Sequence, residues 1–255
     1  MNTTGVSGGV GIVRSGLVYY LDSENSDSYT SSSSTFYNIA KYNIDSTNYN
    51  LNYTLATTLY NSPSYTSTTP KNLYFSGTNE YGDIGTYLPI ETSATATFCY
   101  WAYCSVNATS LVLTRYNTFT IPRRADYIGL ASGTTNLSPR FYLGDTTNFA
   151  YWTTNTEAFT LNQWNHVVFS VNLTTPSIVC YVNGVSVATT LTGTAPATIV
   201  STPSGKRWRI AVSTNTLGTE VYSNFKLGSL SVYNTALSSS DALQNYNATR
   251  TRFGR

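Results

Sequence analysis

Side chains that move protons or hold metals are thinly supplied in this 255-residue chain. Glycoside hydrolysis needs two carboxyl groups converging on one bond, and strand alternation is what would bring them to one face. Glu80 and Asp83 stand an odd number of positions apart in a turn context, while Asp22, Glu24 and Asp27 fall in a Ser- and Asn-rich loop. His166 is the sole histidine, which leaves a Ser-His-Asp triad or a His-based metal site almost nothing to draw on. It reads either as a general base or as a structural residue beside Trp164. No P-loop and no G-x-G-x-x-G after a strand occurs. Aromatic side chains are the better-stocked chemistry. Tyr151, Trp152 and Trp208 are the candidates for stacking on sugar rings or for filling a protein interface, two roles that look alike in sequence. The Tyr151-Trp152 pair lies in a loop-rich region and leads for either role, with a packed strand position as the third reading.

Cys99, Cys104 and Cys180 make an odd set without zinc or C-x-x-C spacing. They sit inside apolar strand patterns and read as buried thiols. A Cys99–Cys104 bridge would join opposite faces of one strand, which is poor disulfide geometry.

The elements that must position these residues are strands. Thr, Tyr and Val favour strands, and Asn, Gly and Ser favour the turns between them. A hydrophobic fraction of 41 % supports a sizeable core, while charge is sparse at 10 %. Low charge suits a protein that sits against neighbours, because few charges must be desolvated. A net charge of +2 is too small for capture of nucleic acid. Lys206, Arg207 and Arg209 around Trp208, and the terminal Arg250, Arg252 and Arg255, read as solvated loop and tail charges. No apolar stretch is long enough to span a bilayer. Met1–Gly5 lacks a secretory start, so export is not expected and the N-x-S/T sequons read as chance.

Residues 1–15 read as a Gly-rich arm and Gly16–Asp22 as the first strand. The longest two-fold alternation is WNHVVFSVNLTTPSIVCYVNG, Trp164 to Gly184. Val167, Phe169 and Val171 share one strand face, and Ile178, Cys180 and Val182 share the facing one. Asn183-Gly184 suits a tight turn. Ala94 to Val106 carries large apolar groups on both faces, as a central strand buried on both sides does. Weaker strands follow around Leu111–Arg115, Tyr127–Ala131, Arg140–Leu143 and Trp208–Ser213, and another lies within Tyr53–Tyr60. Leu73 to Ile84 reads as strand, Gly-containing turn and return strand. Ser238 followed by Asp241 predicts the one good helix, Ser238 to Asn247, with Ala242, Leu243 and Tyr246 as its apolar stripe.

The W-x-H…Y-V-N-G hairpin resembles the core of concanavalin A-like, laminin G-type jelly rolls. GIVRSGLVYYLDSENSDSY and STFYNIAKYN, the dense YNTALS ending and the NYNATRTRFG tail are similar to such domains in bacteriophage and large-virus structural proteins. The resemblance covers most of residues 12–254. It implies an all-β jelly-roll sandwich with one short C-terminal helix, residues 16–255 forming one domain behind the 1–15 arm. It also implies a structural His166; glycosidases on this fold usually deliver their carboxylates from one E-x-D-x-(x)-E strand, and nothing in this sequence matches it. Calcium, which relatives often bind, would fall to Asp22, Asn79, Glu80 and Asp83. Ser76 and Asn38 stand where relatives keep acids, so no metal or cofactor is expected. The expected function is a non-enzymatic virion component of capsid, tail or fibre, contacting other virion proteins and copies of itself. The alternative is a carbohydrate-binding module for host attachment. Neither reading involves nucleic acid or membrane.

Overall fold

The computed structural model describes residues 11–40, 56–90, 93–117, 124–145, 148–199, 207–214 and 219–255. The arm residues 1–10 and most of 41–56 lie outside these. In chain order the strands begin with β1 (Leu17–Asp22), β2 (Thr35–Phe36), β3 (Thr57–Tyr60), β4 (Ser64–Thr66), β5 (Asn72–Ser76) and β6 (Tyr81–Gly85). The middle of the chain forms β7 (Thr95–Tyr103), β8 (Ser110–Asn117), β9 (Arg124–Ser132), β10 (Leu137–Gly144) and β11 (Phe149–Thr154). Then come β12 (Trp164–Asn172), β13 (Ser177–Val182), β14 (Val185–Val187) and β15 (Thr189–Gly193). The last are β16 (Trp208–Ile210), β17 (Val212–Thr214), β18 (Glu220–Tyr222) and β19 (Asn224–Tyr233). Helix α1 (Ser239–Thr249) and a 3-10 turn, Arg250–Phe253, end the chain.

Two antiparallel sheets stack face to face. The first runs β14-β13-β12-β7-β19-β5-β4, with β1 also paired to β19; the second runs β15-β11-β10-β9-β8-β16-β6-β3-β2. A small β17–β18 ribbon lies against β8, where Thr114 donates its hydroxyl to the Val212 carbonyl at 2.6 Å. The predicted hairpin is present as β12–β13, with Val167 opposite Val182, Phe169 opposite Cys180 and Val171 opposite Ile178. Asn183 and Gly184 both take positive φ, 52° and 80°, to turn into β14. Phe98, Tyr100, Ala102 and Cys104 enter the core between the sheets. Cys99 faces the opposite way, into a second apolar layer with Tyr20, Val168, Tyr233 and Ala242. The two-sided burial expected for β7 is therefore real, and α1 supplies its outer cover.

The helix begins at a full capping box: Ser238 Oγ accepts the Asp241 N–H, and Asp241 accepts the Ser238 N–H. Its buried positions are Ala242 and Asn245, while Leu243 is exposed, so the expected stripe is shifted by a turn-edge. Asn245 holds the chain's beginning, accepting the Val13 N–H at 2.8 Å and donating to the Tyr233 hydroxyl at 3.1 Å. Phe253 stacks 4.3 Å from Trp101 and lies 4.9 Å from Trp164. Arg252 pairs with the buried Asp22 at 2.9 Å.

Three expectations are corrected. Leu73 to Ile84 does not form a hairpin: β5 pairs with β19 and β4, whereas β6 pairs with β16 and β3, so the Gly77 turn carries the chain between sheets. The Trp208–Ser213 strand breaks at Ala211, whose φ of 65° ends β16 and redirects β17. Tyr151-Trp152 is not in a loop but in the middle of β11.

Candidate functional site

Alternation along β11 splits the leading aromatic pair. Trp152 is 3 % exposed in the inter-sheet core, 6.3 Å from Phe141, so its indole face is closed to a ligand. Trp208, 1 % exposed, sits beneath the Arg115 guanidinium at 5.4 Å and is closed for the same reason. Neither tryptophan can stack on a sugar from solvent, because each occupies an inward strand position. Only Tyr151 points outward. It joins a row across three strands, parallel to Tyr142 at 6.2 Å, with Tyr142 parallel to Tyr127 at 5.0 Å. Arg140 covers Tyr151 at 5.0 Å. Rings stacked this way hide one another's faces and offer edges and hydroxyls to solvent.

The candidate carboxylates Asp22, Glu80 and Asp83 each have a structural partner. Asp22 is bound by Arg252 and by the Tyr20 hydroxyl at 2.6 Å. Glu80 accepts from the Ser76 hydroxyl at 2.7 Å, closing its own turn, and Asp83 pairs with Arg207 at 2.5 Å. Among the described residues no three His, Cys, Asp or Glu side chains come together as a metal cluster. His166 is buried against Trp101, ring centroids 5.2 Å apart, and burial pushes its imidazole down to about 3. It is a structural residue there, under the C-terminal cover.

Among the described residues an open concavity lies elsewhere, at the side of the sandwich where β2, β3 and β4 end the two sheets. It is a cleft of about 340 Å³ lined by Tyr29, Ser31–Ser34, Leu59, Ser62, Pro63 and Tyr65. Short-range hydrogen bonds of the Ser/Asn loop build one wall. Asp22 Oδ1 accepts the Glu24 N–H at 3.0 Å, Asn25 accepts the Tyr29 N–H at 2.9 Å, and Ser33 Oγ accepts the Thr35 N–H at 3.0 Å. The other wall is a tight turn. Asn61 and Ser62 both adopt positive φ, 58° and 54°, and pass the chain from β3 in one sheet to β4 in the other. Tyr29 and Tyr65 meet at the base, ring centroids 4.9 Å apart, and Tyr29 is wedged edge-on against Phe36 at 5.5 Å. The Tyr29 hydroxyl donates to the Ser33 carbonyl at 3.1 Å and the Tyr65 hydroxyl to the Ser23 carbonyl at 3.3 Å.

No charged side chain is in this lining. Serine hydroxyls that both donate and accept, beside tyrosine rings, can bind a neutral polyol but cannot act as acid, base or cation trap. Sequence reasoning treated residues 23–34 as a polar loop and missed the cleft. Its only signal is the serine run, which is equally a sign of solvent exposure.

Residues 76–242 match the Concanavalin A-like lectin/glucanases superfamily. No curated protein matches the chain by sequence. Among solved structures, the botulinum neurotoxin serotype D ligand-binding domain in complex with N-acetylneuraminic acid is similar at TM-score 0.58 and 9 % identity, covering 91 % of this chain and 50 % of that one. Trypanosoma rangeli sialidase with sialic acid is similar at TM-score 0.57 and 14 % identity, over 94 % of this chain and 34 % of that one. Domain 4 of AbnA, a GH43 extracellular arabinanase from Geobacillus stearothermophilus, in complex with arabinotriose, matches at TM-score 0.56 and 14 % identity, over 92 % of this chain and 100 % of that domain. The chain spans about half the length of the neurotoxin binding domains it resembles. The family match extends over more than half of the sequence and the two-sheet sandwich agrees with it, so the protein belongs to the concanavalin A-like lectin/glucanase superfamily.

Proposed function

We propose that this protein is a non-catalytic carbohydrate-binding module and that its ligand is a neutral glycan held in the Ser31–Ser34/Tyr65 cleft. One observation carries the reading: an open cleft of about 340 Å³ whose walls are hydroxyls and tyrosine rings without charge. Small-ligand sites are of this size and combine apolar walls with a few polar groups. The superfamily and the sugars named with the three similar structures above support glycan binding. They do not determine which glycan, and the cleft's own chemistry argues against an anionic sugar, because its lining offers no cation to a carboxylate. The structural ties of Asp22, Glu80 and Asp83 support a binding role rather than hydrolysis by a carboxyl pair drawn from them.

A glycan array with neutral and sialylated members tests this. Tyr65→Ala should weaken a neutral hit by about tenfold, in line with ~1.4 kcal/mol for one lost sugar-stacking ring. Ser34→Trp should abolish binding by filling the cleft, and Tyr151→Ala should leave it unchanged. Binding lost with Tyr151→Ala but kept with Tyr65→Ala would move the site to the tyrosine row. Silence of the wild-type protein across the array would remove the glycan reading.

The setting we propose is the surface of a virion, resting only on the opening and closing motifs of the chain. The three similar structures named above come from a toxin, a sialidase and an arabinanase and lend that setting no support. Mass spectrometry of purified particles, with copy number, tests it independently of the array.

A further inference from the structure

The side of the sandwich opposite the cleft has a different character. There β14 ends one sheet and β15 ends the other, so both sheets finish on consecutive strands of the chain. On the cleft side the terminal strands are two and three residues long, β2 and β4, too short to template a partner. β15 is five residues, Thr189–Gly193, exposed along nearly its whole length. Among the described residues no strand pairs with its outer side. Between Glu157 and Lys206 the chain has no Asp, Glu, Lys or Arg at all, and β15 contains no proline.

The backbone shows which groups are free. The Asn155 N–H donates to the Ala188 carbonyl and the Thr194 N–H to the Phe149 carbonyl, with Thr190 opposite Thr153 and Thr192 opposite Tyr151 between them. Alternation then turns the N–H and C=O of Thr189, Leu191 and Gly193 away from β11, toward the open side. Leu191 is 42 % exposed, and Val185 on the neighbouring edge strand is 67 % exposed.

We propose that a second copy of this chain pairs with the first through β15, antiparallel and centred on Leu191, joining the two nine-stranded sheets into one. The match is self-complementary. A two-fold axis at Leu191 sets Leu191 against Leu191 and Thr189 against Gly193 of the other copy, and the outward groups of each pair exchange two hydrogen bonds. The two Leu191 side chains meet across the axis, and no charge opposes another. An occupant must be an extended strand, because only a strand satisfies alternate outward N–H and C=O groups. This chain presents a matching one on every copy.

The test is sedimentation equilibrium of the full chain across a wide concentration series, with two variants. Leu191→Lys sets like charges against each other at the axis. Leu191→Pro removes an outward N–H while leaving the β11 ladder its donors. The expected result is a monomer–dimer equilibrium for the wild type and monomers for both variants, with near-UV circular dichroism unchanged. In the wild type, the amides of Thr189 and Leu191 should gain hydrogen-exchange protection as concentration rises. This last readout decides the matter alone if either variant loses its tertiary signal. A wild-type monomer at every concentration overturns the proposal. So does a dimer that persists in both folded variants, or one whose concentration-dependent protection falls on another segment. None of these outcomes depends on the glycan array.

Discussion

His166 is held between the rings of Trp101 and Tyr246, at 5.2 and 6.0 Å, and its Nδ1 has no hydrogen-bond partner among the described residues. Burial lowers its pKa from 6.5 to about 3, so the unfolded chain takes up its proton first as pH falls. The stability this neutral imidazole contributes is complete above about 6.5 and drains away as pH drops toward 3. Glu157 acts lower. Its carboxylate accepts N–H groups of Asn136, Thr134 and Thr135, which hold it at about 2 instead of 4.5, so its contribution is present above 4.5 and lost between 4.5 and 2. The two windows overlap only between 4.5 and 3, which leaves the range above 4.5 to His166 alone. His166→Phe, which keeps a ring in the stack, should flatten the fall in urea midpoint between pH 6.5 and 4.5. An unchanged slope would mean that the imidazole is not the group titrating. The structural role of His166 was legible in its W-x-H context. The fate of Trp152 was not, because a tyrosine and a tryptophan side by side look like one patch until the strand sends them to opposite faces.

The C-terminal cover depends on a missing side chain. A methyl group at Gly228 would run into the Phe253 ring, so β19 leaves there the space that Phe253 fills against Trp101 and Trp164. Phe253→Ala should cost about 3–5 kcal/mol. Gly228→Ala should cost a similar amount by evicting the same ring, and the double variant should cost much less than the sum, because both act on one contact. A purely additive result from denaturant melts would show that Gly228 serves something other than Phe253. At the other end of the helix, Ser238→Ala should cost about 1 kcal/mol by removing the cap. The cap and the β12–β13 hairpin were legible because their signals are local: a Ser three residues before an Asp, and apolar alternation on either side of a polar turn. The parting of β5 and β6 was not, because nothing within residues 72–85 records that their partners, β19 and β16, lie in different sheets. The break at Ala211 is equally silent, since alanine carries no preference for the positive φ it adopts.

Across the whole molecule, three layers rest on one another: the outer sheet face, the inter-sheet core and the helix-covered face. All three cysteines are free and buried, Cys104 and Cys180 between the sheets and Cys99 beneath α1. Burial raises all three thiols, Cys99 and Cys104 to about 12, so none is reactive in the folded protein. Thiol titration in rising denaturant should show all three together if the layers unfold as a unit. Cys99 ahead of the others would mean that the helix layer peels off first. The all-β class was legible because it follows from composition and turn chemistry summed over the chain. The cleft was not, because it exists only where two sheet edges come side by side. Those edges also set a distance. The cleft lies at β2–β4, and β15 ends the same sheet at its far side, eight strand spacings away along the nine-stranded order. Two copies joined at β15 would hold their clefts ~80 Å apart, at about 4.8 Å per strand. Such a pair is too wide to grip neighbouring sugars of one short chain, and its natural work is to bridge separate surfaces. Glycan-coated beads should clump with the wild-type protein and remain dispersed, though still decorated, with Leu191→Lys.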